Sequence, residues 1–193
     1  MREAVGGYNG TNYHVFGIDQ STRCITTIEY EHHEIHSGSN YFVSGYIDLV
    51  INHVLQMTFA TPDTTKWLHW LWKIDTENET LWQVYEGGTI NNALANTMTI
   101  FNSNRNSSNT SGATLKYEDH DDLDAANTDV SIGSATLIES GISGAGKKTS
   151  GADSRSMELV LKQNTVYVLR AIATAAGFID FHMNWYEHTD KEA

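Results

Sequence analysis

Histidine and carboxylate side chains are the chemistry-bearing groups that stand closest together in this chain, and they crowd into Ile28–Val43, IEYEHHEIHSGSNYFV. His32, His33 and His36 with Glu29, Glu31 and Glu34 could supply ligands to a metal ion. On a helix, His32 and His36 would share one face at the spacing of a two-histidine zinc motif. That motif needs His-Glu-x-x-His, and here the order is His32-His33-Glu34-Ile35-His36. On a strand, His32, Glu34 and His36 share one face while Glu31, His33 and Ile35 share the other. Residues on one strand face stand roughly 6 to 7 Å apart, and zinc ligands converge at about 2 Å, so a second strand would have to contribute. Tyr30 and the Ser37-Gly38-Ser39 turn favour the strand. The expectation is a polar strand face without a metal.

Other motifs fail at identifiable positions. Gly141-Ile142-Ser143-Gly144-Ala145-Gly146-Lys147-Lys148 approaches a phosphate-binding loop, but Lys148 stands where a hydroxyl should meet magnesium. The following Thr149–Asp153 is loop-like and offers no helix N-terminus for a phosphate. Asp119, Asp121, Asp122, Asp124 and Asp129 lack the turn glycine and bidentate glutamate of a calcium loop. No G-x-S-x-G pattern surrounds a serine. The expectation is therefore a protein that is not an enzyme, with no catalytic residue, no cofactor and no metal. Trp67, Trp70, Trp72, Trp82 and Trp185 could stack on sugar rings, but at strand spacing they are expected mostly in the core.

Composition narrows the partners. In 193 residues, 12 Lys plus Arg face 24 Asp plus Glu, a formal net charge of −12. Such a surface repels phosphates, which argues against direct nucleic-acid binding. Cys24 is the single cysteine, so neither an intrachain disulfide nor a cysteine-rich metal framework is expected, in keeping with a reducing cytoplasm. The opening MREAVGGYNGTNYHVFG lacks the apolar core of a secretion signal, and no apolar run has the length of a membrane span. Sequons such as Asn9-Gly10-Thr11 therefore carry no weight.

These groups must be positioned by strands. Residues 1–22, rich in Gly, Asn, Tyr and Thr, read as an extended N-terminal arm carrying Tyr8, Tyr13 and Phe16; residues 23–193 read as one domain. Strands are expected at Cys24–His36, Tyr41–Leu49, Val54–Thr61, Trp67–Asp75 and Glu79–Glu86. More are expected at Thr97–Asn102, Ala113–Tyr117, Ala135–Glu139, Met157–Leu161, Thr165–Thr174 and Phe178–Glu187. Apolar residues on both faces of Trp67–Asp75 predict cover on both sides. Ser103–Gly112 and Gly141–Ser154 read as surface loops. No stretch holds a capped helical stripe over a dozen residues. The expected fold is all-β, an antiparallel β-sandwich of the jelly-roll kind.

Several segments in combination, Ile28–Ser39, Tyr41-Phe42-Val43, Thr61–Trp67, Tyr85-Glu86-Gly87, Asn102–Ser107, Leu161–Thr165 and Trp185–Thr189, resemble a family of tailed-bacteriophage virion structural proteins. The resemblance runs over residues 25–190. It implies a capsid decoration, or cement, protein: a homotrimer clamped on the outer surface of the head, with the major capsid protein as partner and the host cytoplasm as the place of assembly. A different reading is a fibre or baseplate module that touches a host glycan. The shared Tyr-Glu-His order of Tyr30-Glu31-His32 and Tyr186-Glu187-His188 suggests two neighbouring strands. Glu31, His32, Glu34, His36, Glu187 and His188 are then expected at a subunit interface. Tyr8, Tyr13 and Phe16 of the arm, and Lys147 and Lys148 of the second loop, are expected to contact the capsid.

Overall fold

Period-two alternation becomes strands almost everywhere it occurs. A computed structural model describes residues 6–8, 13–15, 30–90, 96–120, 130–144, 149–152 and 157–189. The chain divides into two compact units, Met1–His33 and Glu34–Ala193. The described part of the first unit contains a hairpin of β1 (Gly6–Tyr8) and β2 (Tyr13–Val15), antiparallel with Tyr8 opposite Tyr13. An extended arm was expected over residues 1–22, of which the described residues are these two paired strands.

The expected strand through His36 is in part a helix, α1 (Tyr30–Ser37). Its end explains why. Gly38 has φ +73°, and its N–H donates to Ile35 O at 3.1 Å while Ser39 N–H donates to Glu34 O at 3.0 Å. These paired bonds satisfy carbonyls that a helix end leaves open, and the left-handed residue they require suits glycine. Ser-Gly-Ser is thus a helix stop rather than a hairpin turn.

After α1 come β3 (Asn40–Leu49), β4 (Val54–Ala60), β5 (Lys66–Thr76) and β6 (Thr80–Glu86). The short strands β7 (Thr89–Ile90), β8 (Asn96–Thr97) and β9 (Phe101–Asn102) follow, then β10 (Thr114–His120) and β11 (Val130–Ser131). The chain continues through β12 (Thr136–Ser143), β13 (Thr149–Ala152), β14 (Leu159–Leu161), β15 (Val166–Ala173) and β16 (Gly177–Thr189). Thr97–Asn102 is broken between β8 and β9. The expected loop from Gly141 is strand at both ends, because β12 runs to Ser143 against β6 and β13 pairs with β5.

Two six-stranded antiparallel sheets carry the fold among the described residues. One has the order β12-β6-β15-β4-β10-β8; the other has β13-β5-β16-β3-β9, with β14 also on β5. The pairings nest: β3 with β16, β4 with β15, β5 with β14, and β6 with β12. Strands early in the chain thus bond to late ones, and successive strands from β3 to β6 alternate between sheets.

Between the sheets lies the core. Trp70, Trp72 and Ile74 of β5, Tyr41 and Val43 of β3, and Met183 and Trp185 of β16 meet Met57 and Phe59 of β4, Leu169 of β15 and Trp82 of β6. Aromatic rings bridge the layers: Phe59 lies 5.5 Å from Trp70 and 5.0 Å edge-on to Trp185, and Trp72 meets Trp82 at 4.8 Å. Tilted and edge-on arrangements suit ring quadrupoles. The strand buried on both faces is β4, Val54 through Phe59. On β5, expected to be covered on both sides, the outer residues His69, Leu71, Lys73 and Asp75 are only half-buried.

Gly38 gives a direct test of this stop. A Cβ there would strike the Ser107 side chain as well as strain the left-handed backbone. Gly87, φ +88°, has open space around it. Gly87→Ala should cost about 1–2 kcal/mol from conformation alone, and Gly38→Ala clearly more, read as urea midpoints. Equal losses would contradict the packing of α1's end against the Ser107 loop.

Candidate functional site

The outer face of β3, β16 and β5 is where polar, aromatic and charged side chains converge. Register aligns them in rows: Phe42, Asn184 and Leu71; Ser44, His182 and Lys73; Tyr46, Asp180 and Asp75. A depression of about 450 Å³ opens among Ser44, Gly45, Lys73, Asp75, Asp180, Phe181 and His182. Gly45 makes room for Phe181, since a Cβ would stand 2.8 Å from its Cζ. Lys73 Nζ bonds Asp75 Oδ2 at 2.6 Å. Burial lowers the His182 pKa, and the nearby Lys73 charge lowers it further, because both disfavour imidazolium.

Aromatic side chains border this depression. Tyr46 is 70% exposed and Phe178 49%, and their rings meet edge-on at 5.9 Å. Phe42 lies 5.7 Å from Phe101, brought in by β9, and stacks on His182 at 6.1 Å. The Arg105 guanidinium sits 5.0 Å above Phe101. Rings with edges and faces exposed beside carboxylates can bind by stacking and hydrogen bonding.

A second cluster occupies the far end of the same face. His69 of β5 contacts Glu158 Oε1 through Nδ1 at 2.5 Å, and Tyr186 donates its hydroxyl to that oxygen at 2.9 Å. The His69 and Tyr186 rings stack at 4.4 Å. His188 Nε2 stands 2.7 Å from His69 Nε2. Tyr186 is buried, although it points to the outer side of the sheet.

The expected interface residues differ in burial. His32 and His36 are exposed on α1, which also carries Glu31. Glu34 is buried and accepts a hydrogen bond from the Ser39 hydroxyl. Glu187, 3% exposed, accepts from Ser111 Oγ at 2.5 Å, Gly112 N–H at 3.1 Å and Trp185 Nε1–H at 3.2 Å. Both carboxylates thus hold their own chain together. The Trp185–His188 stretch does lie beside the earlier motif's end, since Glu187 N–H donates to Ser39 O at 2.9 Å. It pairs with β3 and β5, however, and its imidazole partner is His69.

Tyr8 and Tyr13 face each other across the first hairpin; Phe16, Lys147 and Lys148 lie outside the described residues. The Ser103–Gly112 loop, expected at the surface, is tied down by amides. Asn102 Nδ2 donates to Gly38 O at 2.9 Å, Asn104 Nδ2 to His36 O at 3.2 Å and Asn109 Nδ2 to Gly38 O at 3.2 Å. Tyr41 donates to Thr110 O at 3.2 Å. Burial, with the Glu187 charge adding, raises the Tyr41 pKa to about 12.

Sequence reasoning did not single out Tyr46, His69, Glu158, Phe178 or His182. The alternation Phe178-Asp180-His182 marks an outward face, but which strands lie beside it is a matter of register.

No protein-family model, curated protein or solved structure matches this chain. Among the described residues, no group of three or more His, Cys, Asp or Glu side chains is arranged to hold a metal ion.

His182 binds a proton less readily folded than unfolded. Its contribution to stability is therefore present above the ordinary histidine range and is lost as pH falls through the lowered value. Lys73→Met should move the His182 midpoint upward, followed by imidazole NMR across an acid titration. A midpoint that stays in place, or falls, would remove Lys73 as a cause.

Proposed function

We propose that this protein is a non-enzymatic structural component of a bacteriophage virion, a capsid decoration protein that docks on the outer surface of the head. The observation that carries the docking is two aromatic pairs on the outer face of one sheet, exposed Tyr46 with Phe178 and exposed Phe101 with half-buried Phe42. Large exposed apolar side chains in contact with one another mark interaction surfaces, whereas isolated ones are ordinary. Aromatic anchors are also the side chains that most often dominate protein interfaces. The virion itself comes from the resemblance of the scattered segments.

In this reading three copies associate about a three-fold axis and straddle junctions between major capsid subunits. Added buried interface then offsets the outward pressure of packaged DNA. The nested strand order supports a jelly roll, in which two sheets wind together and present their outer faces and edges. Edge strand β12 exposes Leu137, Ile138 and Ile142, a second apolar surface suited to contact between copies.

A second reading, a fibre or baseplate module for a host glycan, is favoured by one specific feature. Asp180 and Asp75 share a row with Tyr46, and rings flanked by carboxylates suit sugar stacking and hydroxyl recognition.

The test is sedimentation of the purified chain alone and with expanded, DNA-filled heads. A trimer that cosediments with heads is expected. Changing Tyr46→Ser together with Phe178→Ser should leave the far-UV spectrum intact and weaken head binding about 30-fold, the effect of losing an anchor of about 2 kcal/mol or more. A monomer that does not bind heads would overturn the proposal. Sugar-dependent tryptophan fluorescence, with no head binding, would transfer the face to the glycan reading.

A further inference from the structure

His69 and His188 meet through their Nε2 atoms, and each ring sets its Nδ1 against an acceptor. Three contacts link the cluster: His69 Nδ1 to Glu158 Oε1 at 2.5 Å, His69 Nε2 to His188 Nε2 at 2.7 Å, and His188 Nδ1 to Thr189 O at 3.0 Å. The Thr189 carbonyl can only accept, and an ionised Glu158 can only accept.

With Glu158 and Thr189 O against the two Nδ1 atoms, the Nε2 atoms of the two rings face one another. A carboxylate or a carbonyl accepting from the far ring nitrogen is the outer arrangement that orients metal-binding histidines and fixes their tautomer. From this convergence we infer that His69 and His188 form a binding site for a divalent transition-metal ion, with Zn²⁺ the suitable probe. Imidazole nitrogen suits zinc, copper and nickel.

The fit requires only a small opening. Two imidazoles on one tetrahedral zinc, at about 2.0–2.1 Å each, hold their nitrogens roughly 3.3 Å apart, some 0.6 Å beyond the present contact. His188 lies next to the last residue of β16 and is only partly buried, so it can move by that amount. His69 is held by Glu158 and by stacking on Tyr186. The pair supplies two ligands and leaves the remaining positions to water. Glu158 and Tyr186 act as positioning residues. The site does not depend on the virion reading.

The test is a Zn²⁺ titration of the full chain near neutral pH, following the imidazole resonances of His69 and His188. Both rings should shift in one step at one equivalent, with the heat of binding saturating at the same ratio by calorimetry. Glu158→Gln should weaken this step about 10-fold or more, and His188→Asn should abolish it. Combined His32→Asn and His36→Asn, on α1, should leave it unchanged. Rings that stay in place at tenfold excess zinc would overturn the site, as would wild-type affinity in His188→Asn. The first result uses the unmodified protein, so it stands even if a variant misfolds.

Discussion

Strand β16 takes hydrogen bonds on both edges, from β3 and from β5, through most of its 13 residues. That double pairing is the constraint on which the described sandwich depends. It delivers Ile179, Phe181, Met183 and Trp185 to the core and Phe178, Asp180, His182, Tyr186 and His188 to the outer face. A slip of one residue would exchange the two sets. The tryptophan contacts with Phe59 and the interlocking of the sheets leave that exchange no space.

Glu187 is the inward residue that this alternation makes costly. Its carboxylate is buried, and burying a charge without partners is strongly unfavourable. Ser111, Gly112 and Trp185 supply the donors, so the carboxylate draws a long polar loop onto the sandwich. A comparable polar fastening binds the other sheet. Lys162 holds Glu86 below the usual carboxylate range against the opposing effect of burial, and the Tyr167 hydroxyl adds to it. Burial is also the main reason the Tyr167 pKa is raised. Polar side chains here secure connections between strands, and the outer face is left to other work.

The sequence made β3, β4, β5, β6, β15 and β16 legible because each keeps period two over seven or more residues, long enough for the pattern to stand out. Helix α1 was not legible. Eight residues are too few to display a stripe, and Tyr30 with a Gly-Ser turn reads equally well as strand and hairpin. Only the bonds from Gly38 and Ser39 distinguish a helix stop from a turn. The imidazole pair was hidden for another reason: His69 and His188 are 119 residues apart and meet through the register of β5 with β16. The Tyr-Glu-His repeat drew attention to the end of β16 where His188 stands but not to His69, because likeness of sequence carries no information about pairing.

The work proposed for this sandwich is to lay its outer surface on a capsid. A cryo-electron microscopy map of the virion tests that most directly. The account predicts three-fold density on the outside of the head, into which the sandwich fits with Tyr46 and Phe178 against capsid protein. Density for this chain confined to the tail or baseplate would contradict it, as would head-bound density with those two side chains facing solvent.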